Sequence, residues 1–499
     1  MKRRAALLSL VLPAAAACAV GPRYHPPEMS MPKLWSEATG EPAAAGSDLA
    51  RWWTGFHDRL LDSLVSRAVA GSPDLKIASA RIREARAARG IAAAAALPEL
   101  GAHAVYSRSE RSEAVPPFQF APAGAAPFGA REQDLFEAGF DASWEIDLFG
   151  GVRRDREASL AQVQATEEAR RDVLVTLLAD VVRNYLELRG TQQRIALLDE
   201  TLRSQRDSLH LAQARFEAGL GTQLDVERAA GLVATTAARR PALERFARQS
   251  SYRLAVLIGL PPVALVPELE RPGPLPTAPP ELPAALPSEL LSRRPDLRQA
   301  ERELAAATAR IGVARADLFP RFSILGGFGR RSEDAGDLGK GSSRFWGLVP
   351  GVRWPIFSGG RIRANIRVQD ARAEQALYRY ERAVLTALEE VENAISAHTR
   401  EHRRREFLRA SVASERRALE LATERYTSGL ESFLSVLDAQ RSVYAAEDRL
   451  VQSDRNVGVG LVALYKSLGG GWSWSRRGLR ETPMGRSGPA RLPADRARE

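Results

Sequence analysis

Two proline-free stretches constrain this chain more than any other feature. No proline falls between Arg153 and Arg240, and none between Ile356 and Thr482. Proline removes a helical hydrogen bond and clashes with the preceding turn, so its absence permits helices far longer than those of ordinary globular domains. Arg153 to Glu217 is 65 residues, about 98 Å as a helix at 1.5 Å per residue. Arg361 to Thr427 gives nearly the same, and a rod of that length could cross a bacterial periplasm. A chain of 499 residues would otherwise suggest about three compact domains.

Both rods end on one phrase. RFEAGLGTQLDVERAAG spans Arg215 to Gly231, and RYTSGLESFLSVLDAQR spans Arg425 to Arg441. A separation of about 210 residues marks internal duplication rather than a solenoid. Gly219 and Gly429 supply the left-handed residue that ends a helix cheaply. Return helices are expected over Gln223 to Ile258 and Glu431 to Leu468, with Ala-rich faces suited to close packing of neighbouring helices. A second mark of duplication lies upstream. Pro73 and Pro98 bracket one segment, Pro295 and Pro320 another, each 25 residues from proline to proline. Ser72 before Pro73 reads as a capping hydroxyl opening a helix from Asp74 to about Ala96.

Each repeat also offers two strands. Phe140, Ala142, Trp144, Ile146 and Leu148 alternate with Asp141, Ser143, Glu145 and Asp147, period two with one apolar and one acidic face. Trp346, Leu348, Val352, Trp354 and Ile356 repeat the pattern; Phe322, Ile324 and Phe328 mark another strand, and Leu100 to Tyr106 the weakest. Hairpins half-buried in a soluble sheet would show similar alternation. Strands of about ten residues with aromatic ends and a wholly apolar face suit a transmembrane barrel. Residues 107–136 and 330–344, rich in Ser, Glu, Pro and Gly, read as exposed loops. Four strands cannot close such a barrel, and an open edge in lipid leaves backbone groups unpaired at several kcal/mol each. The membrane reading therefore requires several chains to share one barrel.

The N-terminus reads as a signal peptide: basic MKRR, an apolar run from Ala5 to Leu12, then small residues up to Cys18. That run is too short to span a bilayer. Cys18 is the only cysteine, so no intrachain disulfide is possible. It is either a bystander beside an ordinary cleavage site or a lipidated N-terminus. Small Ala17 fits a lipobox, whose usual Leu three places before the cysteine is here Ala15. Ala19 is not the Asp that goes with inner-membrane retention, and several acyl chains on one cysteine would anchor stably.

The net charge of +10 is concentrated at the ends. Lys2, Arg3 and Arg4 precede Cys18, and the tail from Trp472 carries seven arginines against Glu481, Asp495 and Glu499. The body is close to balanced, which disfavours a nucleic-acid partner. Catalysis has little support. His398 and His402 share a helix face, a spacing that can bind metal, but Arg400, Arg403, Arg404 and Arg405 crowd them. A structural or solvated role is expected, with no metal or cofactor. Gly326-Gly327-Phe328-Gly329 lacks the Lys-Ser/Thr of a phosphate loop.

Four phrases carry a resemblance: CAVGPRY at 18–24 with Pro26, WEIDLFGG at 144–151, RYTSGLESFLSVLDAQRS at 425–442 and LYKSLGGGW at 464–472. Together they resemble outer-membrane efflux proteins, in particular the NodT-type lipoproteins, similar to OprM and more distantly to TolC. The resemblance implies a TolC-like tandem repeat, mainly α with a membrane β part: four strands and long coiled-coil helices per chain. Three chains would form a twelve-stranded β-barrel in the outer membrane and a twelve-helix α-barrel reaching into the periplasm. The implied role is the passive exit duct of a tripartite efflux system for drugs or other small molecules, not an enzyme. Its partners would be outer-membrane lipid, a periplasmic adaptor and an inner-membrane transporter.

By the same resemblance the adaptor docks at the tips, Arg215, Gly219, Leu220, Arg425, Gly429 and Leu430. The gate maps onto Leu434 and Asp438, with Arg441 one turn along as ion-pair partner. Where relatives often carry a second acid, this chain has Ser435. Without the resemblance, Leu434 and Leu437 read as packing residues and Asp438 as solvated. The expected organisation is signal peptide 1–17, lipidated arm 18–56, first repeat 57–260, extended Pro-rich linker 261–287, second repeat 288–471 and a disordered basic tail 472–499. A duct for protein secretion is the near alternative. A lipidated periplasmic adaptor, or a secreted coiled coil, would lack the duplicated strands.

Overall fold

A computed structural model describes residues 19–36, 49–110, 112, 132–279 and 287–472. After a 3₁₀ segment, Leu49–Phe56, come α1 (Arg59–Gly71), α2 (Pro73–Ala94), β1 (Glu99–Glu110) and β2 (Glu132–Ile146). Then follow α3 (Gly151–Glu217), α4 (Gln223–Ala237) and α5 (Arg240–Ile258). The second repeat supplies α6 (Pro295–Ala316), β3 (Arg321–Ser332), β4 (Arg344–Arg353), α7 (Arg361–Thr427) and α8 (Phe433–Ser467). Both proline-free rods, α3 and α7, are 67 residues long. The chain divides into two units. One comprises the chain up to Glu28, Arg81–Thr166 and Gln299–Tyr380; the other comprises Met29–Ala80, Glu167–Arg298 and Glu381 onward.

The first unit holds one antiparallel sheet in the order β1-β2-β3-β4. Register places Ala102 opposite Phe140, Phe140 opposite Phe328 and Phe328 opposite Trp346. Residues in register share a face, so Leu100, Phe136, Phe140, Trp144, Phe322, Phe328, Leu348 and Val352 form one apolar surface. Among the described residues nothing covers it: Trp346 is 78% and Leu348 65% exposed. The opposite face is polar. There His103 lies 3.2 Å from both Glu137 and Asp141, and Arg331 pairs with Glu137 at 2.7 Å. The apolar band ends at one rim in Arg108–Glu132 (2.6 Å) and the Tyr106 hydroxyl donating to Asp134 (2.9 Å). Toward the other rim, Trp144 and Trp354 donate their indole N–H to the carbonyls of Ala96 and Leu318, both at 3.0 Å. Each carbonyl lies two residues past the end of α2 or α6, so the duplication extends to this contact.

The strands run farther than the sequence indicates. β1 reaches Glu110, β2 begins at Glu132 and β3 continues to Ser332, into stretches read as loops, because backbone pairing persists where the apolar pattern has lapsed. Leu148, Trp354 and Ile356 lie beyond their strands. Pro350, which has no N–H, sits in β4, an edge strand of the chain. Among the described residues β1 and β4 each leave one side unpaired.

In the second unit the core gathers Trp52, Trp53 and Phe56 of the 3₁₀ segment with Leu61, Leu64 and Val65 of α1. Leu174 to Leu188 of α3, Leu254 of α5 and Leu461 of α8 join them. Trp52 stacks on Tyr465 at 4.9 Å. Asp58 caps α1 by accepting from Leu60 and Leu61, and its other oxygen accepts from the buried Tyr185 hydroxyl at 2.7 Å. Burial and that carboxylate push the Tyr185 phenol up to about 12. Gly71 meets the end of α5 so closely that a Cβ would lie 2.1 Å from the Ile258 carbonyl.

Four local expectations are corrected. The Ser72 hydroxyl is buried without a partner and caps nothing, although Pro73 does open α2. The first return helix breaks after Ala237 because Pro241 opens α5, whereas α8 runs unbroken for 35 residues. The linker is not extended throughout. Pro262–Leu269 coils into two short helical turns and buries Leu265 and Leu269, followed by a bend at 270–271 and irregular chain over 272–279. The arm, for its part, ends in the 3₁₀ segment rather than extended chain. The tail expectation lies outside the described residues beyond Trp472. Among the described residues no single helix is long and apolar enough to cross a membrane.

Candidate functional site

The two hairpin tips fold by the same local rule. At the end of α3 the Leu220 amide donates to the Arg215 carbonyl (2.8 Å) and Gly219 to Phe216 (2.9 Å). At the end of α7 Leu430 donates to Arg425 (2.9 Å) and Gly429 to Tyr426 (3.0 Å). This six-to-one closure needs a left-handed residue, and Gly219 and Gly429 take it at φ 73° and 75°. Leu220 and Leu430 are each 69% exposed at the apices, apolar side chains largely uncovered among the described residues.

The outgoing helices start differently. Thr222 and Asp225 form a reciprocal capping box on α4. Ser432 makes no side-chain cap on α8. Instead Glu431 accepts from the Ser435 hydroxyl at 3.0 Å and from the Ser432 amide at 3.3 Å, with Arg425 3.5 Å away. These contacts, Ser435 foremost, hold the Glu431 carboxyl below its usual range. Ser435 thus fixes a neighbouring carboxylate where a second gate acid would have stood.

Behind the apices the tips are clasped. Tyr426 packs on Phe433 at 5.0 Å, and the Arg215 guanidinium lies 4.8 Å over the Tyr426 ring. Ala212, Ala229, Leu232, Val436 and Leu437 complete a small buried cluster, and Gln440 donates to Ser208 at 2.7 Å. Without the family resemblance Leu434 and Leu437 read alike, but Leu437 is buried in this cluster while Leu434 is 41% exposed. Leu434 therefore keeps an open face that Leu437 lacks. Asp438 lies 3.4 Å from Arg441 on the same helix, both mostly exposed. So exposed a pair adds little to the stability of one chain.

Cys18 lies outside the described residues, but the segment that follows it is pinned. The Val20 amide donates to the Phe149 carbonyl at 3.1 Å. Buried Arg154 donates to the carbonyls of Val20 and Gly21, both at 3.2 Å. Within that unit the residues just after the cysteine are held where β2 gives way to α3. His398, by contrast, is buried against Gly460 of α8, and burial with neighbouring His402 pushes it down to about 4. Among the described residues no group of three metal-binding side chains gathers there.

The family model "Outer membrane efflux protein" matches residues 64–260 and 286–470. The chain is similar to the outer membrane protein OprJ of Pseudomonas aeruginosa, 35% identical, covering 95% of this chain and 96% of that one. It is also similar to the toluene efflux pump outer membrane protein TtgI of Pseudomonas putida, 32% identical, covering 92% of this chain and 96% of that one. The solved structure of the outer-membrane channel OprN is 37% identical, with a TM-score of 0.85 and coverage of 91% and 100%.

Proposed function

The chain belongs to the outer membrane efflux protein family, and from that premise we propose that three copies form the exit duct of a tripartite pump. It is a channel protein of the outer membrane with a TolC-like fold. The observation that supports the threefold assembly is the four-stranded sheet with two open edges and an uncovered apolar face. Lipid admits no unpaired edge, so β1 of one copy must meet β4 of the next until a barrel closes. Twelve strands fall within the known range of membrane barrels. In this reading residues 57–260 and 288–471 are the two repeats, and Cys18 carries acyl chains. The duct performs no chemistry of its own, and an inner-membrane transporter supplies the energy through a periplasmic adaptor. Toluene, named for one relative, is a small molecule, which supports small-molecule cargo over protein export.

The adaptor docks at the apices through Leu220 and Leu430, flanked by Arg215 and Arg425. Gly429 has open space around it, and aspartate tolerates the left-handed region better than most residues. Gly429→Asp should therefore keep the turn while placing a charge on the docking surface. Efflux should fall to the level of a deletion strain, while trimers persist on mild-detergent gels. Wild-type efflux in that variant would remove the apices from the interface. At the other end, Cys18→Ser should abolish incorporation of labelled palmitate, and persistent labelling would show that the cysteine is not the anchor.

A further inference from the structure

The second unit contains a cleft that none of the tip or gate residues lines. Its cavity, about 630 Å³, is lined on one side by the irregular strap Pro272–Ala278. Gln192, Gln193 and Ala196 of α3, Arg405 and Arg409 of α7, and Asp454 of α8 form the other walls. We infer that this cleft binds small amphipathic carboxylates, a ligand site separate from the tips.

Charge gives the first reason. Two guanidiniums and one carboxylate line the cavity, leaving one net positive charge. Asp454 does not satisfy either arginine: it lies 3.9 Å from Arg405 and 4.0 Å from Arg409, beyond hydrogen-bond reach. The Arg405 Nε is buried with no hydrogen-bond partner, a cost that an incoming acceptor would relieve. On the same guanidinium Nη2 donates to His402 Nδ1 at 3.1 Å, while Nε lies 4.0 Å from Glu406. Glu406 instead takes Arg409, at 3.1 Å. Burial pushes the Asp454 carboxyl up, against the pull of the two arginines, so the resident acid is a poorly solvated counter-ion. Arg189, the nearby third guanidinium, is already committed to Gln192 and the Arg271 carbonyl.

The strap gives the second reason. Pro272, Pro274 and Pro276 offer no amide donors, and every charged donor lining the cleft comes from the arginine side. Proline rings and Leu275 provide an apolar wall opposite. A ligand with an anionic head and an apolar body matches that division, and the volume suits a drug-sized molecule. Carboxylate oxygens fit a guanidinium fork in two parallel hydrogen bonds.

The test is equilibrium binding of 2-naphthoate, followed by its fluorescence, to the full-length protein in lipid nanodiscs. Saturable binding is expected, weakened roughly tenfold or more by Arg409→Gln. Ala196→Trp, which fills the cavity from an exposed helix position without changing charge, should do the same. The neutral alcohol 2-naphthalenemethanol should bind at least as poorly as the acid binds to the charge variant. Equal affinity for alcohol and acid would overturn the proposal. So would unchanged affinity in both variants, or an absence of saturation at millimolar ligand.

Discussion

Phe140→Arg should keep this protein out of the outer membrane. Phe140 sits mid-band on the apolar face, between Ala102 and Phe328. An arginine near the bilayer midplane costs about 2–4 kcal/mol. Three copies in one barrel multiply that to about 6–12 kcal/mol, comparable with the whole stability of a domain. The variant should accumulate unassembled and be degraded, with almost none in the outer-membrane fraction. Ser143→Arg is the matched control. It is three residues along the same strand but on the polar face, beside Asp141 and Glu145, and should insert normally. Insertion of Phe140→Arg at the control's level would refute the face assignment, and loss of the control instead would show the faces to be reversed.

The second large effect is expected at the aperture. Asp438 and Arg441 are both exposed and 3.4 Å apart, so removing them costs one chain little. Around a threefold axis the same groups would form a ring, where carboxylates repel unless each has a cation beside it, and where charge and bulk set what passes. Asp438→Ala with Arg441→Ala should therefore leave thermal stability unchanged while raising single-channel conductance several-fold in planar bilayers. Cells should also become sensitive to antibiotics too large for ordinary porins. Conductance equal to wild type would mean that these residues are solvated surface and that closure lies elsewhere. Leu434→Ala tests separately whether an apolar side chain helps close the aperture: higher conductance is expected if it does, since Leu434 is exposed while Leu437 is buried.

Much of this fold was legible because its signals are local. Missing prolines announced α3 and α7, and glycine in a repeated phrase announced both turns. Alternation located all four strands, though not their ends. What escaped notice depends on distant partners. α1 carries Asp58 as its cap and Leu61, Leu64, Val65 and Ala68 at helical spacing, a signal present in the sequence but passed over for the louder Ser72-Pro73. The clasp of Arg215 on Tyr426 joins residues some two hundred positions apart, and no periodicity reports such a pair. Pro241 was visible as well. Its effect was underestimated because proline is tolerated at the start of a helix, and here it starts a new one. At the candidate site, glycine turns and exposed leucines could be placed from sequence. The residues alone, without the family resemblance, do not separate Leu434 from Leu437, because that depends on which side of α8 meets the neighbouring hairpin.

The two open edges of the sheet have a genetic corollary. A ring built from interchangeable copies is only as sound as its worst member. A chain such as Phe140→Arg, made alongside the normal protein in equal amount, should spoil most rings rather than half if it still joins them. Inheritance of a defect in this duct would then be dominant, and preserving half of the transport in such a mixed cell would show that the faulty chains never enter the ring.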